Sequence, residues 1–272
     1  MTELHLLDFC TAGDPANNTV YQRTTKVLTF LRWCQRGGLV EHNPGERLRD
    51  PDSPLRSYRR TYGKVQAHNP GRWLTYDEAF VRLVGACDDG TLIGLRDEIV
   101  IRLGLTGLRV SEIAHLRIDN LRHAPTLAWT GKGHSPRTAT LGTALMNALG
   151  RYLGAYPEPS PDDPVVCRQV MGAARRGGPR RIDWHHPAGS RALYEIITGR
   201  ARQAGLGHVA PHDLRRTAAA ILHTATGDNG THHFDLLDIQ RVLGHSDPAT
   251  TMRSYLAPMD TDVLDRAAHF LD

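Results

Sequence analysis

Apolar residues recur at helical spacing along most of this chain. Val20, Val27, Leu28 and Leu31 fall on one helical face, and Gly37-Gly38 ends that helix as a C-cap would. Thr75-Tyr-Asp-Glu78 is a capping box ahead of the apolar Phe80, Val81, Leu83 and Val84, and it opens a further helix. The pattern then predicts helices over 95–105, 142–155, 190–204, 212–223, 235–243 and 248–256, with a final amphipathic piece carrying Val263, Leu264, Ala267, Phe270 and Leu271. Two short strands, Thr126–Trp129 and Arg137–Leu141, flank the turn Gly131-Lys-Gly-His-Ser-Pro136. The predicted fold class is mainly α (α+β), with one small antiparallel sheet.

Proline placement divides the chain. Asp50-Pro51, Ser53-Pro54 and Asn69-Pro70 break up a stretch rich in Pro, Arg and Tyr that reads as a linker. Residues 1–68, including most of that linker, are predicted to form a small helical domain, and 69–272 a larger one. With 272 residues both can bury a core.

The net charge of +4 is modest, so its distribution matters more than its sum. Arg56, Arg59, Arg60 and Lys64 lie between Pro54 and Gly71 with no acid among them. From Arg168 to Arg202 run eight arginines, among them Arg175, Arg176, Arg180 and Arg181, against only Asp183 and Glu195. Basic stripes of this kind point to a phosphate backbone, and these eight residues, Arg56 to Lys64 and Arg175 to Arg181, are the candidate DNA contacts. The four cysteines are scattered without a Cys-x-x-Cys pair, as in a protein with reduced thiols. No basic region precedes an apolar stretch at the N-terminus, and no run approaches the roughly 20 apolar residues of a membrane span. The expectation is a soluble, cytoplasmic protein.

Four segments carry the candidate chemistry: Thr-Gly-Leu-Arg-Val-Ser-Glu at 106–112, Gly-Lys-Gly at 131–133, His-Asp-Leu-Arg at 212–215 and Leu-Gly-His at 243–245, followed by Tyr255. A phosphodiester under displacement builds negative charge on its non-bridging oxygens, and guanidinium forks suit that charge. Arg109 and Arg215 are the candidates, and His212 shares a helical face with Arg215. Of the 33 Lys and Arg residues only Lys26, Lys64 and Lys132 are lysine, so the lysine at the hairpin tip stands out. Lysine can give up a proton where arginine effectively cannot, which fits Lys132 to protonate a departing oxygen. His212 and His245 can donate to the same phosphate or accept a proton near neutral pH. Gly-Lys-Gly is no nucleotide loop, because Thr126 stands at the first P-loop glycine and Gly133 replaces the Ser or Thr after the lysine. The adjacent pairs His185-His186 and His232-His233 lack carboxylate or cysteine partners at ligand spacing, so no metal site is expected.

At these residues, from about Leu74 to Leu256, the chain resembles the tyrosine recombinase (phage integrase) family. The resemblance implies a site-specific DNA recombinase, an integrase of a mobile element, with Tyr255 as a nucleophile that forms a 3′-phosphotyrosyl link without ATP or metal. It further implies an N-terminal domain that grips duplex DNA, a homotetramer on two DNA sites, and directionality or accessory DNA-bending proteins as partners. Two features depart from the pattern. Tyr255 follows His245 by ten residues rather than the usual nine, with Ser254 in the usual place, and Thr224–Asp235 replaces a short turn. The alternatives are a catalytically impaired DNA-binding relative and a type IB topoisomerase.

Overall fold

Helix α1 (Glu3–Thr11) and helix α2 (Asn17–Arg36) build the first of two compact units, Met1–Pro70 and Gly71–Asp272. The computed structural model describes residues 3–13, 17–49, 72–131, 135–171, 180–227 and 231–244. The predicted face of α2 is buried at Val20, Leu28 and Leu31, with Val27 packed beside them. Helix α1, which the apolar pattern did not announce, lays Leu6 and Cys10 on that face, and Leu48 completes the small core. The predicted end of α2 holds: Leu39 donates back to Cys34 O at 2.9 Å just past Gly37-Gly38.

In the second unit the capping box is made as its residues predict. Glu78 N donates to Thr75 Oγ1 at 3.2 Å and Thr75 N donates to Glu78 Oε2 at 3.0 Å. The helix that follows, Asp77–Leu83, is wound with π rather than α periodicity and buries Ala79 and Leu83. Helix α3 (Leu92–Leu105) starts at Thr91, whose hydroxyl accepts from Gly94 N at 2.9 Å. It is apolar nearly all round, and Ile99, Val100, Ile101 and Leu103 are all buried, which makes it the centre of the domain. Helices α5 (Thr143–Leu153), α6 (Ser190–Gln203) and α7 (Pro211–Thr224) pack on it. The one-turn α4 (Val110–Ala114) follows α3 directly. Helix α8 (Leu236–Leu243) joins α7 through Ala219, Ile239 and Leu243.

The predicted hairpin is present as β1 (Thr126–Thr130) and β2 (Pro136–Thr140), antiparallel with Trp129 opposite Arg137. A second antiparallel hairpin, β3 (Cys167–Met171) and β4 (Arg180–Pro187), was not predicted, so there are two small sheets among the described residues and not one. Its strands lie in the arginine-rich stretch, where charge obscures any alternation.

That stretch is not a uniform phosphate-binding face. Arg200 is 9 % exposed, and its guanidinium donates to Asp97 Oδ2 and Asp89 Oδ2, both at 2.9 Å, and to Ala86 O at 2.8 Å. Arg96, also buried, donates to Asp97 Oδ1 at 2.6 Å, so one carboxylate serves two interior arginines. Arg168 and Arg191 are paired with Asp183 and Glu195. Arg180 and Arg181 are exposed at the start of β4. The expected contacts Arg56, Arg59, Arg60, Lys64, Arg175 and Arg176, and the expected helices over 248–256 and at the C-terminal end, lie outside the described residues.

Candidate active site

The C-terminal end of α3 is where the candidate residues meet. After Leu105 the chain turns through Thr106 and Gly107, whose φ of +87° is accessible to glycine at little cost. Arg109 then stands at the N-cap of α4. Helix α7 opens with Pro211 at its first turn, and the Asp213 carboxylate accepts from Ala210 N at 2.9 Å, so the backbone is fixed where His212 and Arg215 begin. Thr217, one half-turn on, accepts from Leu74 N at 2.9 Å and anchors α7 to the start of the unit.

Arg215 is 1 % exposed, and its guanidinium donates to Gly107 O and to Leu243 O. Three segments far apart in sequence are thereby drawn onto one cation: the turn before Arg109, helix α7, and the last residue of α8. Gly244 follows with φ +58°, a left-handed cap of α8, and a side chain there would collide with the Arg137 guanidinium.

Arg109 is organised by Glu112. The Glu112 carboxylate accepts from Arg109 N at 2.7 Å and from Arg109 Nη1 at 2.9 Å. Arg137 of β2 approaches the same carboxylate, with Nη1 at 3.2 and 3.3 Å from its two oxygens, while Nη2 donates to Val242 O at 2.8 Å. The Trp129 ring lies 4.8 Å from the Arg137 guanidinium carbon. Burial alone would raise the Glu112 carboxyl, yet the Arg109 amide and then the Arg137 and Arg109 charges hold it below the usual carboxylate range.

His212 is pushed down to about 4 by desolvation and by the charges of Arg216, Arg215 and Arg109, with Asp213 acting against them. The residue is exposed, so solvent tempers the desolvation, and the three guanidiniums secure the direction. The ring is therefore neutral at neutral pH, able to accept a proton or to donate one N–H.

The structure brings Arg109, His212 and Arg215 together. Lys132, His245 and Tyr255 lie outside the described residues. Gly131 N donates to Ser135 O at 2.8 Å across the base of the turn that holds Lys132, and His245 follows Gly244 directly. Sequence reasoning missed the parts of Glu112 and Arg137. The spacing of Arg109 and Glu112 is that of a capping box, and a basic residue opposite Trp129 on the inner face of a hairpin is a second signal.

A cavity of about 640 Å³ lies elsewhere, beside the N-terminal half of α3. It is lined by Arg96, Asp97 and Arg200, holds neither Arg109, His212 nor Arg215, and its interior charges are already paired. Among the described residues no group of His, Cys, Asp and Glu could hold a metal ion, and no helix is long and apolar enough to cross a membrane.

Residues 72–261 match the model of the phage integrase family. The chain is similar to the tyrosine recombinase XerC of Mycobacterium sp. strain KMS, 31% identical over 244 residues that cover 88% of this chain and 72% of that protein. It is similar also to the tyrosine recombinase XerC of Corynebacterium efficiens, 32% identical over 235 residues, 86% of this chain and 65% of that one. A solved structure of the XerH site-specific recombinase, bound to a palindromic difH substrate after cleavage, covers 98% of this chain and 72% of its own with a TM-score of 0.66 at 18% identity, a likeness of fold.

Proposed function

Because the chain belongs to the phage integrase family of tyrosine recombinases and is a site-specific recombinase, we propose that it breaks and rejoins duplex DNA through a 3′-phosphotyrosyl link on Tyr255. The observation that carries this reading is the convergence of Arg109, Arg215 and neutral His212 at the end of α3.

In this reading the Tyr255 oxygen attacks the phosphorus and its proton passes to a histidine, His212 or His245. The bond from phosphorus to the 5′-oxygen breaks, and Lys132 protonates the leaving oxygen. Arg109 and Arg215 hold the charge that grows on the non-bridging oxygens, and electrostatic preorganisation of this kind supplies most of the acceleration. The energy of the phosphodiester is kept in the tyrosyl ester, so a 5′-hydroxyl from another strand reverses the step without ATP. Four protomers on two duplex sites would exchange strands in this way, with the N-terminal unit and the 50–70 segment gripping DNA. A mobile element is the proposed context and the cytoplasm the proposed location.

The test is to incubate the protein with sheared genomic DNA of its source, recover denaturation-resistant adducts and sequence them. Adducts at one defined site that vanish with Tyr255→Phe support the reading. Adducts that survive Tyr255→Phe but not Ser254→Ala overturn the nucleophile. A site beside the protein's own gene supports a mobile element, and a site elsewhere replaces that context. Relaxation of supercoils without strand exchange would make the chain a topoisomerase.

A further inference from the structure

Three charges meet behind the candidate phosphate site: Arg109 and Arg137 are cations and Glu112 an anion. Their exposures are unequal, with side chains 32 % exposed for Arg109, 5 % for Glu112 and 9 % for Arg137. Arg109 is the outward member, and the other two form a buried pair behind it. Glu112 already receives the Arg109 amide and one arm of the Arg109 guanidinium, so it does not need Arg137 for its hydrogen bonds. Burying a second guanidinium costs desolvation that its contacts must offset. Without it, Arg109 and Glu112 would pair one to one and sum to zero charge; with it, the trio keeps one positive charge, carried on the exposed residue.

We propose that Arg137 is a positioning residue for recombination: it shares the Glu112 carboxylate, so that the net positive charge of the trio stays on the side of Arg109, toward the phosphate. The sharing is fixed by geometry. Arg137 is held at its far arm by Val242 O at 2.8 Å, stacked on Trp129, and pressed against the bare Cα of Gly244. Its own strand leads back into the turn that carries Lys132, so one side chain also ties the hairpin to the end of α8, just ahead of His245. The inference rests on the reading that Arg109 holds the phosphate.

The experiment is single-turnover adduct formation on a nicked duplex built from the mapped cleavage site, with DNA affinity measured beside it. Arg137→Gln should slow adduct formation by about 10- to 100-fold, somewhat less than outright loss of a charge donor, while affinity stays within about threefold because binding is spread over many phosphates. Adding Glu112→Gln should then recover at least about tenfold of that loss, since Arg109 no longer faces a carboxylate and the amide oxygen can still cap Arg109 N. A role confined to holding Val242 O predicts no recovery, and a double variant as slow as Arg137→Gln overturns the proposal. So does wild-type speed in Arg137→Gln when Arg109→Ala is inactive. If Arg109→Ala itself cuts normally, the reading of Arg109 fails first, and the two failures are told apart. Should Arg137→Gln not fold, as its melting curve would reveal, Arg137→Lys carries the test. It keeps the charge and should cut at least about tenfold faster than Arg109→Ala, and equal rates overturn the proposal.

Discussion

Arg109 and Arg215 are both candidates for the phosphate, but their surroundings differ and so should their losses. Arg109 faces outward from a helix cap, whereas Arg215 is an interior cation tied to the carbonyls of Gly107 and Leu243. Arg109→Ala is expected to cut cleavage by about 10²–10³ with the melting temperature nearly unchanged, because Glu112 keeps Arg137 and the residue 109 amide as partners. Arg215→Ala is expected to lose cleavage and stability together. It strands two buried carbonyls, each at about 1–3 kcal/mol, and thermal melts of the two variants side by side decide the matter. His212 adds a pH dependence. Its folded pKa, about 4, lies below the ordinary 6.5, so the unfolded chain takes up the proton first. The native state therefore loses stability as pH falls from 6.5 toward 4, and none of this loss remains in His212→Gln. The melting temperature of the wild type should fall relative to that of His212→Gln on acidification through that window, and parallel curves would show that neither burial nor the guanidiniums disfavour the charged ring.

The elements around α3 show which signals in a sequence survive folding. Helix ends were legible because single residues dictate them: Thr75 and Glu78 cap each other, and Gly37-Gly38 stops α2. Hairpin β3–β4 was not legible, since Arg180 and Arg181 sit where an apolar alternation would mark a strand. The arginines of the same stretch misled for a different reason. Charge reads as surface from sequence alone, and only the meeting of α3 with α6 turns Arg200 into an interior group. In the site, Arg109, His212 and Arg215 were legible because each stands in a short local word; Glu112 closes the first of those words at capping-box spacing, but its sharing with Arg137 depends on a strand register and a packing contact that no local word encodes. The α3–α6 charge network makes its own prediction. Asp97→Ala leaves Arg96 and Arg200 without their shared carboxylate and should cost about 3–5 kcal/mol of unfolding free energy. Denaturant titration measures it, and a loss under about 1 kcal/mol would mean that Asp89 and the Ala86 carbonyl suffice for Arg200.

For the whole molecule, a net charge of +4 is too small to hold a polyanion by its average, so the salt dependence of DNA binding must come from particular residues. Replacing exposed Arg180 and Arg181 by alanine should flatten the slope of log affinity against log salt by up to about 1.8, at about 0.9 per phosphate contact. An unchanged slope takes β4 off the DNA. The ties that make the candidate site join segments far apart in the chain: Arg215 binds a carbonyl 108 residues before it, and Arg137 one 105 residues after it. Contacts of such separation form late and slowly. During synthesis, Arg109 leaves the ribosome well ahead of α7 and α8, and until those helices arrive there is no Arg215 to close the corner and no Val242 to hold Arg137. In the proposed reading a half-made chain has no assembled site with which to cut. Nascent and truncated polypeptides could then not break DNA, a consequence of the order of translation alone.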